Sequence, residues 1–503
     1  MKKVLCILLA AILLFAFGCG DNKPPEPEPF DAPGQISAIT GTLGIPFVLT
    51  ESLNPITTQS KLNADMLTLV FDGLFELSPG FDVVKNLCES YEIEDKTLTC
   101  TIKDQVIMHD GSTLTAADVV YSYDMAMASS PYTSRFDMIS RVKATSSKRV
   151  EFTLKYPYAD IITLLDLPII KKNSDKSVMP IGSGGYKLAS VAGQTTLEVF
   201  AENHKGLLYP ADVKLVDIAD TAAFIYEFES TNISLANIDI TDTSPIGLKG
   251  NLEHFNYTTT VFHYLGINMK TPVLQDPLVR RALACATNRQ QLSASVFLGH
   301  FETSTLTLPP ETQGVEESLF NKNWYNIDTA KALFTQAGIS DTDGDGFLDN
   351  AGKRVVLKLL VNQENSFKLA ACNTLSIELA KLGVEVTVTA LPFADFTKAL
   401  KAGSFDLYYG EVALNPDFNP QSILGTGQGL NFGGYSDRQL DDLLDANIHT
   451  KTPQSQREFF EYFCKESPII PLGFKRNTVV AHKDTYPRVM PTYKTTYYGL
   501  DRY

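Results

Sequence analysis

The fold is decided between Val355 and Val412, where the chain reads VVLKLLVNQENSFKLAACNTLSIELAKLGVEVTVTALPFADFTKALKAGSFDLYYGEV. Three short apolar runs within it, VVLKLLVN, VEVTVTAL and FDLYYGEV, predict β-strands. The residues between them predict helices over Phe367–Leu382 and Phe393–Ala402, and Gly383 ends the first helix. Because short crossovers of this β-α-β-α-β kind connect parallel strands, the stretch predicts a parallel sheet with helices on its faces, and therefore an α/β fold.

The carboxyl ends of these strands are where a ligand is expected, because open parallel sheets bind ligands beyond that edge. Those ends carry Asn362-Gln363-Glu364, Leu391-Pro392 and Gly410-Glu411. Farther along, two more helices are predicted over Asp437–Asn447 and Gln454–Lys465.

The first third of the chain has a different pattern. From about Phe71 to Lys103, short alternating runs are split by Gly, Asp and Pro, which predicts antiparallel strands and hairpins. Thr115 and Asp118 are spaced as a capping box, so a helix is expected to begin there. RVEFTLKY then predicts another strand. Two dissimilar halves with a cleft between them are the simplest arrangement.

Composition excludes one class of partner. The chain has 503 residues, of which 44% are hydrophobic, so a globular protein of two or three domains is expected. Its 58 acidic and 43 basic residues give a net charge of -15. Since nucleic-acid binding needs clustered Lys and Arg to neutralise phosphates, a nucleic-acid partner is not expected.

The amino terminus has the pattern of an export signal. Two lysines precede an apolar run from Val4 to Phe17, which is followed by Gly18 and Cys19. The Gly-Cys ending resembles a bacterial lipobox, which implies a signal peptide over 1–19 and acylation of Cys19. Plain secretion is the alternative. Residues 20–35 are rich in Pro and Glu, so they predict an extended tether between a membrane anchor and the first domain.

Five cysteines lie in the body of the chain: Cys88, Cys100, Cys285, Cys372 and Cys464. Cys88 and Cys100 flank a predicted hairpin, so an oxidising exterior allows a disulfide between them. Buried free thiols are the alternative.

Five blocks of sequence carry a resemblance to a known family. The strongest is VIMHDGSTLTAADVVYSYDM over 106–125, in which Asp110-Gly111 makes a turn and Thr115 caps the following helix. The other four, in chain order, are Leu53-Asn54-Pro55, the segment 180–186 (PIGSGGY), Leu265-Gly266-Ile267-Asn268 and the segment 276–283 (DPLVRRAL). Together they resemble the extracellular solute-binding proteins, family 5, that supply peptide and nickel ABC importers.

The resemblance implies a two-lobed, periplasmic-binding-protein-like α/β fold of type II, with an extra subdomain in the first lobe. By analogy, lobe I comprises residues 36–56, 180–260 and 475–503. The inserted subdomain covers 57–179, and lobe II covers 261–474. Closure of the lobes around a solute would exclude water from it.

Peptide binders of this family lay the ligand backbone along a lobe II strand and bind its ammonium with a carboxylate just after that strand. The corresponding residues here are 408–420, where Glu411 replaces the family's Trp and Asn419 replaces the Asp of its Asp-Pro pair. Asp417 is the first candidate for the ammonium and Glu411 the second. A turn or helix cap is the alternative role of Asp417, and pairing with Arg438 or Lys398 is that of Glu411. The remaining predicted ligand contacts are Gly410, Tyr408, Asn419, Asn362 and Tyr264, although a Tyr on an alternating strand more often packs in the core.

Function follows from the resemblance. It implies an extracytoplasmic, monomeric receptor that captures oligopeptides or dipeptides and delivers them to ABC permease and ATPase subunits. Another solute, such as a nickel chelate, an oligosaccharide or an opine, is the alternative. An exported hydrolase or a surface adhesin belongs to a different class, and the sequence has no HExxH, GxSxG or Walker motif to support an enzyme.

One loop has the spacing of a calcium site. Asp341, Asp343, Asp345 and Asp349 occupy positions 1, 3, 5 and 9, with Gly346 at position 6. Position 12 is Gly352, so the bidentate Glu of such loops is missing. We expect no cofactor, and the loop leaves structural calcium or a plain turn open.

Overall fold

The computed structural model describes residues 42–129, 132–177, 179–191, 194–206, 212–310, 312, 314–483 and 489–500. The predicted signal peptide, the lipid attachment at Cys19 and the tether over 20–35 lie outside these residues. Within them, no helix has both the length and the apolar character needed to cross a bilayer.

The strands of the described residues are β1 (Leu43–Phe47), β2 (Phe75–Leu77), β3 (Val83–Lys85), β4 (Cys88–Glu94), β5 (Thr97–Ile102), β6 (Ile139–Ala144), β7 (Arg149–Leu154), β8 (Tyr186–Val191), β9 (Gln194–Val199), β10 (Asp212–Asp217), β11 (Leu235–Ile238), β12 (Leu252–Ile267), β13 (Phe301–Thr303), β14 (Asp349–Asn350), β15 (Lys353–Arg354), β16 (Val356–Asn362), β17 (Glu385–Leu391), β18 (Leu407–Ala413) and β19 (Ile469–His482).

The α-helices are α1 (Lys61–Leu67), α2 (Ala116–Met127), α3 (Thr221–Glu229), α4 (Pro277–Ala286), α5 (Arg289–Gln291), α6 (Glu317–Phe320), α7 (Ile327–Gln336), α8 (Ser366–Ala380), α9 (Phe393–Ala402), α10 (Gln421–Leu424), α11 (Arg438–Thr450) and α12 (Pro453–Glu466).

The predicted β-α-β-α-β unit is confirmed. Its three strands are adjacent and parallel, in the order β18-β16-β17. Leu357, Leu359 and Val361 share one hydrophobic cluster with the apolar side of α8, whereas Leu360 belongs to the cluster that receives α9. The two helices therefore cover opposite faces, which explains why the strands are apolar on both sides. Gly383 has a φ of +83°, as expected of the residue that ends α8.

Two long antiparallel strands extend this sheet on the side of β18. Its full order is β11-β19-β12-β18-β16-β17, and β13 also pairs with β19. The β12–β19 ladder is regular up to Thr258 and resumes at Phe262, with a register shift between them. Gly473 lies opposite this region at a φ of +149°, where an added Cβ would meet the carbonyl oxygen of Glu302 at 2.1 Å. The shift falls at the predicted boundary between lobes I and II, and the boundary itself stays a prediction.

Smaller sheets form the rest of the molecule. One is the antiparallel sheet β4-β5-β7-β6, which contains the hairpins predicted from the alternating runs. Another is β1-β10-β9-β8, in which β1 and β10 are parallel. Helix α2 begins after Thr115, whose N–H donates to Asp118 Oδ2 at 2.8 Å, so the predicted capping box is present. Val119 and Tyr123 of this helix are fully buried.

Candidate ligand-binding site

Strand β18 has an open edge next to its carboxyl end. On one side β12 pairs with it along its whole length, with Val261 opposite Ala413. On the other side β16 pairs only with Leu407 and Tyr408, the first two residues of β18. No strand among the described residues pairs with residues 409–413 on that second side. The end of β18 predicted to meet ligand is therefore the part that lacks a second neighbour.

The backbone groups on the open side can be assigned. Leu414 donates its N–H to the carbonyl oxygen of Thr260 at 3.0 Å, on the β12 side. Because the backbone groups of alternate residues point to opposite sides of a strand, those of Glu411 and Ala413 point to the open side. An extended polypeptide could bond to these groups as an added strand.

Glu411 lies at the centre of a group of charged side chains. Its Oε2 is 2.9 Å from Lys368 Nζ, near the first turn of α8, and 3.1 Å from His263 Nε2 on β12. The His263 contact is close but is not aligned as a hydrogen bond, and the other ring nitrogen of His263 lies 2.8 Å from the Tyr409 hydroxyl. The Glu411 side chain remains 28% exposed. The sequence allowed Arg438 or Lys398 as the partner of Glu411. The partner is instead Lys368, and Arg438 pairs with Asp442.

The pKa shifts in this group have separable causes. Burial raises the pKa of Glu411, but the surrounding groups, among them the cations Lys368 and Lys475, more than offset burial, so the net pKa lies below the ordinary value. For His263, burial dominates and lowers the pKa to about 3. Glu411 is therefore ionised near neutral pH and His263 is neutral. The Glu411–Lys368 pair is the ionic contact in this group.

A second ion pair ties the group to the neighbouring strands. Lys475 Nζ on β19 lies 2.9 Å from Asp239 Oδ2, just after β11. The pKa of Lys475 is raised despite burial, because Glu411 and Asp239 both favour its charged form. Nearby, Asn365 at the start of α8 donates to the carbonyl oxygen of Thr241 at 3.0 Å. Residues from four separate segments thus converge beside the open end of β18.

Tyr408, Gly410 and Tyr264 have a packing role in this structure. Gly410 lies opposite Tyr264 and Gly266 opposite Tyr408 in the β12–β18 ladder. An added Cβ at Gly410 would lie 2.4 Å from the Tyr264 ring, and one at Gly266 would lie 2.0 Å from the Tyr408 ring. Each ring therefore occupies the space above the opposite glycine. Both tyrosines are only 3% exposed, so the predicted contact of their side chains with ligand remains a prediction.

Asp417 is held by a residue far away in sequence. Its buried carboxylate accepts a hydrogen bond from the Tyr158 hydroxyl, and that hydroxyl also accepts one from Asn419 Nδ2 at 3.0 Å. Asp417 Oδ1 accepts the N–H of Asn419 at 3.3 Å, which is the turn contact considered as an alternative. Burial raises the pKa of Asp417 above its ordinary value. The Asp417 carboxylate therefore has one partner in its own turn, Asn419, and one in the segment containing Tyr158.

Further contacts surround the Tyr158–Asp417 bond. Phe418 packs edge-to-face on Phe81 at a centroid distance of 4.8 Å, and the two residues have φ of 55° and 66°. Lys451 pairs with Asp160, and Ala159 donates its N–H to Ile448 at 3.0 Å. The small cavity in this region has a volume of about 20 Å³, which holds one water but not a solute.

Asn362 lies at the carboxyl end of β16, as predicted. Its side-chain amide is 3.3 Å from Glu364 Oε2, and Glu364 Oε1 accepts the N–H of Phe393 at the start of α9.

The charged group around Glu411 and the Tyr158–Asp417 contact are two separate sets of side chains. Lys368, His263 and Tyr158 were not predicted. Lys368 follows the strand end Asn362 by six residues and could have been found by the same argument, whereas Tyr158 gives no local signal.

The aspartate loop brings three carboxylates together. Oxygen atoms of Asp341, Asp343 and Asp345 all lie within 4.8 Å of one another, and the three residues are exposed. Asp349 is turned toward Thr342, whose N–H donates to its Oδ2 at 3.0 Å. Asp341 itself accepts N–H groups from Gly344 and Gly346 at 2.7 and 2.9 Å. Three of the four predicted oxygen ligands therefore converge, and the Asp341 carboxylate also organises the turn.

Comparison with known proteins agrees with this architecture. Oligopeptide-binding protein AppA of Bacillus subtilis (strain 168) is 24% identical over 500 residues, which cover 93% of this chain and 91% of AppA. Glutathione-binding protein GsiB of Salmonella typhimurium is 25% identical over 471 residues, covering 86% and 88%. The structure of AppA with a nonapeptide matches with a TM-score of 0.57 at 23% identity, over 92% and 98% of the two chains.

A nickel ABC transporter structure from Bacillus halodurans matches with a TM-score of 0.76 at 17% identity, over 90% of this chain and 98% of the other. These matches confirm the predicted two-lobed, periplasmic-binding-protein-like fold. The family model described as bacterial extracellular solute-binding proteins, family 5 Middle, matches residues 82–431, which is more than half of the chain. The chain belongs to the bacterial extracellular solute-binding proteins of family 5.

Proposed function

We propose that this protein captures peptides outside the cytoplasm and delivers them to the permease and ATPase subunits of an ABC importer. The observation that carries the proposal is the open edge of β18 at Glu411 and Ala413. Every peptide offers the same backbone N–H and C=O groups, so pairing with a strand edge accepts many sequences. Binding and release require no bond to be broken, and we assign the protein no catalytic step and no cofactor.

The relatives support a peptide over other solutes. AppA is named as an oligopeptide-binding protein and GsiB as a glutathione-binding protein, and both align with most of this chain. Both names denote ligands built from amide-linked amino acids. The nickel transporter structure keeps a second candidate, a nickel chelate, although the nearest imidazole to the open edge, that of His263, is only 2% exposed. An oligosaccharide and an opine remain less favoured alternatives.

We assign the ammonium of the ligand to Glu411 before Asp417. Glu411 is ionised, its backbone groups point to the open side of β18, and its side chain is partly exposed, so a ligand can reach it. Asp417 is 7% exposed and already accepts the Tyr158 hydroxyl, so a ligand would have to displace that bond. Glu411 also has a partner, Lys368 at 2.9 Å, so a ligand ammonium would share the carboxylate with that lysine.

Ligand identity can be measured directly. Protein purified without refolding is denatured, and the released small molecules are identified by mass spectrometry. Peptides in the released fraction support the proposal, whereas a nickel complex or a sugar as the bound molecule contradicts it. Calorimetry with the same molecule and with protein unfolded and refolded without ligand then gives its affinity.

The mode of binding is tested on the ligand, so that the protein is unchanged. Peptides with a single N-methyl group remove one backbone donor at a time. Strand pairing predicts that methylation weakens binding at alternate residues, by about threefold to tenfold for each lost bond. A uniform response along the peptide would contradict pairing with β18, even if peptides proved to be the ligands.

The location and assembly of the protein are proposals as well. We propose that Cys19 is acylated and holds a monomer at the outer face of the membrane. Labelling of the wild type but not of Cys19→Ser with a radioactive fatty acid would support the anchor. Release of unlabelled wild-type protein into the medium would contradict it.

A further inference from the structure

A cavity of about 420 Å³ lies between residues of the two predicted lobes. From predicted lobe I it is lined by the end of β11, by the segment 245–248 and by the start of β12, and from predicted lobe II by Leu298 and Phe367. Its volume is that of a pocket for a small molecule, whereas the cavity beside Asp417 measures only about 20 Å³. This cavity is therefore large enough to hold part of a solute.

The lining of the cavity is apolar. Among the described residues that line it, His254 alone carries a polar side chain. Ile246 and Phe367 are half-buried, and Leu298 is 60% exposed. Covering such side chains with another apolar group removes their surface from water, which is favourable. The cavity therefore suits an apolar group rather than a charged or sugar-like one.

The cavity borders the charged group around Glu411 on the side of α8. Phe367 directly precedes Lys368, whose Nζ lies 2.9 Å from Glu411 Oε2. Asn365, two residues earlier, donates its side-chain N–H to the carbonyl oxygen of Thr241 at 3.0 Å. This hydrogen bond joins the start of α8 to the segment after β11, and both of these segments line the cavity.

A second element connects the cavity with the same carboxylate. Leu298 directly follows Phe297, whose ring packs edge-to-face on His263 at a centroid distance of 6.0 Å. His263 Nε2 in turn lies 3.1 Å from Glu411 Oε2. An ionised, partly exposed carboxylate and an apolar cavity are thus neighbours through two independent segments of predicted lobe II.

We propose that this cavity takes a bulky apolar side chain from one of the first two residues of the bound peptide. The inference rests on the proposed function and on the assignment of the ligand ammonium to Glu411. Only a few bonds separate that ammonium from the first side chains of a peptide, so a ligand held at Glu411 places them beside the cavity. Strand pairing accepts any sequence, and a side-chain pocket supplies the selectivity that such pairing lacks.

The test begins with the ligand. Protein unfolded and refolded without ligand is incubated with an equimolar library of random tripeptides and pentapeptides, and the retained peptides are sequenced by mass spectrometry. We expect Leu, Ile, Met and Phe to be enriched about tenfold over Ser and Gly at the first or second position, and not at later ones. Retained peptides without this enrichment would overturn the proposal and leave peptide capture standing. Retention of no peptide would contradict the proposed function as well.

A matched pair of variants then locates the pocket. Leu298 and Ile377 are apolar and 60% and 61% exposed, so replacing either by Ser should leave the melting temperature unchanged. Ile377 lies on α8, about 15 Å along the helix axis from Phe367. Calorimetry uses one retained peptide with an apolar residue at the enriched position and its counterpart with Ser there.

We expect Leu298→Ser to weaken binding of the apolar peptide about threefold to tenfold and to leave binding of its Ser counterpart unchanged. Ile377→Ser should bind both peptides as the wild type does. Wild-type affinity of Leu298→Ser for the apolar peptide would assign the cavity to a partner other than the ligand and overturn the proposal.

Discussion

The Tyr158 hydroxyl donates a hydrogen bond to the buried carboxylate of Asp417, 259 residues farther along the chain. This bond connects the segment predicted as the inserted subdomain with the turn that follows β18. It is flanked by the Phe81–Phe418 ring contact and by the Asp160–Lys451 ion pair. The residues after the open strand edge are thus fixed by side chains from a different part of the fold.

The first prediction concerns that bond. Replacing Tyr158 by Phe removes the donor and leaves the Asp417 carboxylate without one partner in a buried position. We expect the free energy of unfolding to fall by about 1 to 3 kcal/mol, since hydrogen bonds to buried acidic groups have this range. Chemical denaturation of Tyr158→Phe and wild type measures the difference. Tyr156→Phe is the matched control, because the Tyr156 hydroxyl lies only half-buried nearby. An equal loss of unfolding free energy in Tyr158→Phe and Tyr156→Phe would contradict a stabilising role of the Tyr158 hydroxyl.

The second prediction separates the two candidate anchors. We expect Glu411→Gln to weaken binding of a peptide with a free amino terminus by roughly tenfold to a hundredfold, because a partly desolvated ion pair is lost. Asp417→Asn should change the affinity much less. Calorimetry with the free and the N-acetylated peptide measures both effects, and the acetylated peptide should no longer distinguish Glu411→Gln from wild type. A larger loss in Asp417→Asn would reverse the assignment.

The third prediction is a pH dependence that comes from His263. In the folded protein burial lowers its pKa to about 3, against 6.5 for the unfolded chain. Between these values the unfolded chain binds more protons, so this residue makes the protein less stable as the pH falls from 6.5 toward 3. The stability that comes from holding His263 neutral is fully present above pH 6.5. We expect His263→Gln to have a flatter stability profile over that range, measured by urea denaturation at several pH values. A stability profile of His263→Gln as steep as that of the wild type would contradict the assignment of this pH dependence to His263.

The fourth prediction concerns the glycines of β12 and β18. Gly266→Ala places a Cβ 2.0 Å from the Tyr408 ring, so the ring must move out of its packed position. We expect a loss of about 1 to 3 kcal/mol in the free energy of unfolding, as in other overpacked cores. Gly429→Ala is the control, because no atom lies within 4 Å of the added Cβ. A melting temperature unchanged in Gly266→Ala would mean that the space beside the Tyr408 ring is wider than described.

The fifth prediction concerns the aspartate loop. The Asp341 carboxylate accepts two backbone N–H groups of its own turn, and position 12 provides no acidic ligand. We therefore expect the melting temperature to be the same in calcium and in EGTA. Asp341→Asn should lower it slightly in both. A rise in melting temperature that depends on calcium and is absent in Asp341→Asn would instead establish a calcium site.

Local sequence was sufficient for the elements that form the parallel sheet. Strands and helices depend on backbone preferences and on a pattern of burial, which are set by residues close together in the chain. The alternation of VEVTVTAL, the apolar spacing in α8 and Gly383 at the end of α8 are signals of this local kind. Asn362 was located at the end of β16 for the same reason, whereas Glu411, predicted to end its strand, lies two residues before the end of β18. The capping box of Thr115 and Asp118 is likewise a contact over three residues, and it was predicted correctly.

The partners of the site residues were decided by tertiary structure alone. Glu411 pairs with Lys368 rather than Arg438, because α8 begins beside the end of β18 once the sheet has formed. Asp417 pairs with Tyr158, and Lys475 with Asp239, across 259 and 236 residues of chain. No periodicity or motif encodes such distances. The sequence by itself determined the elements of the parallel sheet and the resemblance to the family, whereas only the packing of separate segments decided which charges are compensated and which carboxylate stays accessible.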